Sequence, residues 1–247
     1  MKKRIGIDID EILRAKWLQF DRFYAQKFGE EGIPENPYTY SNEYFRYYKF
    51  DDVVEEIKVL KDPEDTSKNI NPLDYQEDSS GEAPADVFLF KRPEKIKLTA
   101  REAYNRFMYE DYLFELHASP TIMYRGMDLH ISEFLDKYGS TADFTVMSIE
   151  NRFSIPPTLF FLSKMISRFN NYRFVDKNIK MWEDIDVLIT TDPELLKLGT
   201  PWGKNLIKIN RPYNQKINAG CLEVLQIRDL MDNEKFEKII KYKNKIK

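Results

Sequence analysis

The stretch Arg4-Ile5-Gly6-Ile7-Asp8-Ile9-Asp10-Glu11-Ile12-Leu13-Arg14 narrows the possible folds more than any other part of the chain. A short apolar run ends on two carboxylates spaced two apart, and helical periodicity follows. A buried parallel strand delivers acidic groups to the edge of a sheet in this way. Side chains alternate along a strand, so Asp8 and Asp10 share a face and reach one crevice where the strand ends. Ligand chemistry in open α/β sheets lies there, outside the carboxyl ends of the strands. Such a pair can hold a hard cation such as Mg²⁺, or divide nucleophile and acid/base roles. The plainer reading is a cap, in which Asp10 or Glu11 starts a helix at Ile12.

Beyond this strand, Ile12, Trp17, Phe20, Phe23, Tyr24 and Phe28 recur at helical spacing until Gly29 and Gly32. From Ile33 tyrosine and phenylalanine crowd among polar residues. Asp51 to Leu60 predicts a short amphipathic helix. Lys61 to Asp86 carries eight acidic residues against two lysines, with three prolines, and loses all periodicity, which predicts a long loop. Thr99-Ala100-Arg101-Glu102 opens a further helix with a capping box, striped by Tyr104, Phe107, Met108, Tyr112 and Leu116. A helix from Met127 to Tyr138 and a strand at Phe144 to Met147 ending in Ser148 come next. Pro156-Pro157 starts a helix to about Phe169. Strands follow near Arg173 to Val175, Asp186 to Ile189 and Leu206 to Ile209. Leu222 to Met231 and Phe236 to Ile240 form the last helical segment. Strands alternating with helices predict an α/β protein: a Rossmann-like, doubly wound parallel sheet with a mainly helical cap. The core comprises 1–32 and 127–247, and the cap 33–126.

With 247 residues, 42% of them hydrophobic and 32% charged, the chain can bury a large core. A net charge of −3 does not point to general nucleic-acid binding. The single cysteine, Cys221, excludes an internal disulfide and suits a reducing compartment. No run approaches the roughly 20 apolar residues of a membrane span, and the apolar run after Met-Lys-Lys-Arg breaks at Asp8, too early for a signal peptide. The expected location is therefore the cytoplasm.

The order of strand ends resembles the haloacid dehalogenase-like superfamily, and within it the 5'(3')-deoxyribonucleotidase-like phosphatases. The matching residues are Asp8-Ile9-Asp10, Ser148 after a hydrophobic strand, Lys177 and Lys180, the strand into Thr190-Thr191-Asp192, and Lys208 to Asn214. The resemblance implies a nucleophilic Asp8, an acid/base Asp10, a phosphoryl-binding Ser148 and a neutralising lysine at 177 or 180. It also implies a Mg²⁺ held through Asp8, Asp10 and an acidic residue after the fourth core strand, with a small phosphomonoester as substrate. Phosphoryl transfer needs these groups to converge on one charge-dense centre.

The chain departs from that pattern where the metal is completed. Thr190 and Thr191 stand where one or two carboxylates are usual, and neutral hydroxyls do not balance Mg²⁺. Asp192 lies further along the turn and can equally cap the next helix. Glu11 stands where the family commonly has glycine, and Arg14 stands where a small polar or acidic residue is common and could bind an anion. Two functions are therefore expected from different classes. One is a non-catalytic member of a protein assembly, a phage virion being consistent with the AT-rich-genome usage of Lys, Asn, Ile, Tyr and Phe. The other is a Mg²⁺-dependent phosphatase acting through a phosphoaspartate.

Overall fold

The computed structural model describes residues 2–29, 50, 54–57, 94–165, 169 and 171–241. Six parallel strands form one sheet: β1 (Lys3–Asp8), β4 (Ala142–Ile149), β5 (Asn171–Val175), β6 (Val187–Thr190), β7 (Asn205–Ile209) and β8 (Leu222–Val224). Their order is β5-β4-β1-β6-β7-β8. The chain winds outward from β1 to one edge, returns to the other side at β6 and winds outward again. The switch point thus lies beside β1, where such sheets bind ligands.

Alternation along the strands divides the core into two apolar clusters, one on each face. Ile5, Ile7, Val146, Ile189 and Ile207 pack with Phe134 and Tyr138 of α4 (Met127–Tyr138) and with Phe236 and Ile240 of α7 (Glu234–Lys241). Met147, Leu188 and Leu206 pack with Met181 and Trp182 of a 3₁₀ turn and with Leu195 and Leu196 of α6 (Pro193–Leu198). Elements on both faces make the sheet doubly wound, as the alternating pattern predicts. Gly6 fits because a Cβ there would lie 2.6 Å from Met147 Sδ.

The helix α1 (Lys16–Phe28) ends at Gly29, whose φ of 87° suits glycine. It begins at Lys16, four residues later than the sequence predicts. The delay arises at Glu11, whose φ is 58°. The amides of Leu13 and Arg14 both bond the Ile9 carbonyl, and Arg14 is folded inward before the helix starts. Neither Asp10 nor Glu11 is the adjacent N-cap. Glu11 nevertheless accepts the Trp17 amide at 2.9 Å, so it satisfies a first-turn donor from outside the helix.

Further boundaries shift for local reasons. α5 (Ile155–Ser163) stops well before Phe169, where Ser163 Oγ bonds the Phe160 carbonyl and the chain tightens into 3₁₀-type bonds. Leu222-Glu223-Val224 is the sixth strand and not part of a helix. Its period-2 pattern is only three residues long, too short to stand out beside the apolar residues that follow.

The chain divides into two compact units, 1–49 with 104–247, and 50–103. The second unit spans less than the expected 33–126 cap. In it, β2 (Val54–Ile57) pairs antiparallel with β3 (Glu94–Lys97), so the helix expected at Asp51 to Leu60 is replaced by a strand. α2 (Ala100–Arg106) opens with the predicted capping box: Thr99 Oγ1 accepts the Glu102 amide at 3.3 Å and Glu102 Oε2 accepts the Thr99 amide at 2.9 Å. A single π turn, Phe107–Asp111, and α3 (Leu113–His117) follow. Phe107 packs on Phe20, Tyr24 and Phe28 of α1 in the first unit. The aromatic run from Tyr38, the acidic loop and residues 242–247 lie outside the described residues. Among the described residues, no helix is long and apolar enough to cross a membrane.

Candidate active site

β1 places Asp8 at its carboxyl end, and parallel pairing brings Ser148 and Thr190 to the neighbouring strand ends. Asp8 is buried, and its Oδ2 accepts a 2.7 Å bond from Thr190 Oγ1. Burial, reinforced by Asp10 and Asp192, pushes the Asp8 carboxyl well above the usual range. Thr190 Oγ1 also accepts the Asp192 amide at 3.0 Å.

Asp10 faces the opposite situation. Its Oδ1 lies 2.5 Å from Arg14 Nε and its Oδ2 lies 3.0 Å from Lys16 Nζ. Although burial opposes ionisation, these two cations hold Asp10 below its ordinary value. Its main-chain oxygen accepts Thr191 Oγ1 at 3.0 Å.

Arg14 is fully buried and links three segments of the first unit. Nη2 lies 2.5 Å from Glu150 Oε1, and Nη1 donates to the His117 carbonyl at 3.0 Å and to Thr158 Oγ1 at 2.7 Å. Glu150, just beyond β4, also accepts Ser148 Oγ at 3.1 Å, Thr158 Oγ1 at 2.9 Å and the Ser154 hydroxyl. Despite burial, Arg14 and Lys16 hold Glu150 well below the carboxylate range. His117 Nδ1 stands 3.4 Å from Glu150 Oε2, too loose for a strong bond. Burial and Lys16 pull this imidazole down to about 4, so it is neutral. Two buried cations thus face the lowered carboxyls of Asp10 and Glu150, while burial raises that of Asp8.

The sequence-predicted residues separate accordingly. Asp8, Asp10 and Ser148 converge at adjacent strand ends, but the Ser148 hydroxyl is directed to Glu150. Lys180 pairs with Asp176 at 2.6 Å on the surface, and Lys177 is exposed. The lysine that reaches the carboxylates is Lys16. Asp192 caps α6, accepting Glu194 N at 2.6 Å and Leu195 N at 3.1 Å. Burial raises it to about 6. Arg14 spends its donors internally, which removes the expectation that it binds an anion. Glu150 was legible in principle: it follows Ser148 by two residues, the spacing that singles out Asp8 and Asp10. Lys16 and His117 carry no such signal, because an irregular turn and a distant helix bring them in.

A Mg²⁺ does not fit this donor set. The ion is usually bound through one or two carboxylates, substrate phosphate and several waters. Here both Asp10 oxygens are ion-paired, its carbonyl is bonded to Thr191, and one oxygen of Asp8 and one of Asp192 are also committed. Lys16 and Arg14 already supply the positive charge. Among the described residues, no group of three or more His, Cys, Asp or Glu could hold a metal.

No family model matches the sequence, and no curated protein matches it. Among solved structures, the chain is similar to a protein provisionally designated a haloacid dehalogenase-like hydrolase, from Burkholderia xenovorans LB400. The two share 10% identity with a TM-score of 0.48, over 95% of this chain and 98% of that one.

Proposed function

We propose that this chain is a non-catalytic protein of the haloacid dehalogenase-like type, whose strand-end centre holds the fold together, and that it serves as a binding component of a protein assembly. The observation that carries this reading is Arg14, buried between Asp10 and Glu150 with Lys16 on the remaining Asp10 oxygen. Phosphoaspartate chemistry needs an ionised Asp8 to attack and an Asp10 that can give up a proton. The environments run the other way: burial raises the Asp8 carboxyl, while Arg14 and Lys16 lower that of Asp10. Interaction with other chains is supported by the apolar surface of α3 and α5. Phe114, Leu159 and Phe160 are 50%, 42% and 46% exposed, and the Phe114 and Phe160 rings lie 5.3 Å apart. Aromatic clusters of this kind are common at interface cores.

Hydrolysis of p-nitrophenyl phosphate and nucleoside monophosphates, with and without Mg²⁺, tests the reading against an Asp8→Asn control. Rates equal to those of the control are expected. Mg²⁺-dependent turnover that disappears in Asp8→Asn would restore the phosphatase reading.

A further inference from the structure

The opposite end of the sheet carries a second feature that the strand-end centre does not use. A cleft of about 600 Å³ opens at the amino-terminal ends of β7 and β8, against α7. Its volume lies within the range of small-molecule sites. Lys235, Lys238 and Ile239 reach it from one face of α7, at the spacing that groups helical side chains. Lys204 and Cys221 line it too, and Leu206 and Leu222 supply apolar wall. No acidic residue is among the described residues that line it. Lys235 and Lys238 are exposed and make no ion pair among the described residues, whereas Lys241 of the same helix pairs with Glu237 at 2.8 Å. Two unpaired cations therefore face an apolar-walled cleft.

An exposed aromatic residue lies in the turn between two of the lining residues. Thr200 and Lys204 bracket the turn Pro201-Trp202-Gly203, and Trp202 is 100% exposed. Gly199 and Gly203, with φ of 77° and 76°, shape the two ends of this turn. The other two tryptophans, Trp17 and Trp182, are buried in the core. An indole left wholly in water gains most by stacking on a flat ligand, and the lysines of the cleft suit phosphate oxygens.

We propose that this cleft binds a phosphate-bearing aromatic small molecule of nucleotide chemistry, its phosphates on Lys235 and Lys238 and its ring on Trp202. The site is independent of the Asp8 centre, because all six strands are parallel and the cleft lies at their starts. Binding is therefore expected without hydrolysis.

Cys221 is the chain's one thiol, so its modification by 5,5'-dithiobis(2-nitrobenzoate) reports on the cleft alone. ATP is the probe, with adenosine, tripolyphosphate and a glutamate-rich peptide as comparisons, on the full chain. Saturating ATP is expected to slow Cys221 modification about tenfold or more, by mass action, and to quench the Trp202 emission. Lys235→Ala and Lys238→Ala are each expected to weaken ATP binding about tenfold, the effect of losing a hydrogen bond to a charged group. Trp202→Ala is expected to bring ATP down to the affinity of tripolyphosphate. All three side chains are exposed, so circular dichroism should be unchanged. The proposal is overturned if ATP gives no protection, or if protection survives in the Lys235→Ala/Lys238→Ala double variant. It is also overturned if tripolyphosphate binds as well as ATP, or if only the peptide protects.

Discussion

Arg14 is 0% exposed, and its guanidinium neutralises two carboxylates, Glu150 fully buried and Asp10 nearly so. Removing one member of a buried ion network leaves its partners uncompensated, at a cost of about 3–5 kcal/mol. Arg14→Met should lower the unfolding free energy by that amount in urea titration. A loss under 1 kcal/mol would show that the network is not structural. Glu11 offers a second test. Burial raises its carboxyl from 4.5 to about 7. Between those values the folded state keeps a proton that the unfolded chain has released, so stability falls as pH rises through the window. The shift corresponds to about 3 kcal/mol between pH 4.5 and 7. Glu11→Gln should flatten that slope in denaturation curves at successive pH values. An unchanged slope would place the titration elsewhere. At this scale the sequence was partly legible. The spacing of Asp8 and Asp10 located the centre, but nothing local showed that residue 14 would turn back into it. That turn depends on the positive φ of Glu11 and on His117, Glu150 and Thr158 arriving from distant elements.

At the level of elements, β1 works as the hinge of the topology because Ile5 and Ile7 anchor one face and Gly6 on the other lets the Met147 side chain pack against it. Gly6→Ala would bring Cβ within 2.6 Å of Met147 Sδ and 3.2 Å of Leu188 Cδ1. Overpacking of this kind costs about 1–3 kcal/mol, so calorimetry should show a lower Tm for Gly6→Ala; an unchanged Tm would mean that Met147 moves aside without strain. β6 contributes through Thr190, which donates to Asp8 and accepts from the Asp192 amide. Thr190→Val strands both partners and should destabilise by about 1–3 kcal/mol. A neutral result would mean that Asp8 has another donor. The strands of the sheet were readable from their apolar runs, apart from three-residue β8. β2 was not, because a four-residue strand of a two-stranded sheet follows its partner more than any pattern of its own.

Across the whole molecule, a doubly wound sheet with acidic groups at the switch point is a frame on which unrelated functions are built. What distinguishes this chain is the charge balance inside that frame: Arg14 and Lys16 occupy the electrostatic role that a divalent cation would take. Mg²⁺ at millimolar concentration should therefore leave Tm unchanged, since a ligand stabilises only the state that binds it. An increase in Tm that Asp8→Asn abolishes would reveal a metal site. The central claim is that the two aspartates sit in opposed environments, Asp8 raised by burial and Asp10 lowered by Arg14 and Lys16, and carboxyl-carbon NMR of ¹³C-labelled protein, titrated with and without Mg²⁺, reads it directly. The account predicts an Asp8 that titrates above the ordinary aspartate value and an Asp10 that titrates below it, both indifferent to Mg²⁺. An Asp8 that titrates at or below the ordinary value, with a resonance that moves on adding Mg²⁺, would contradict it.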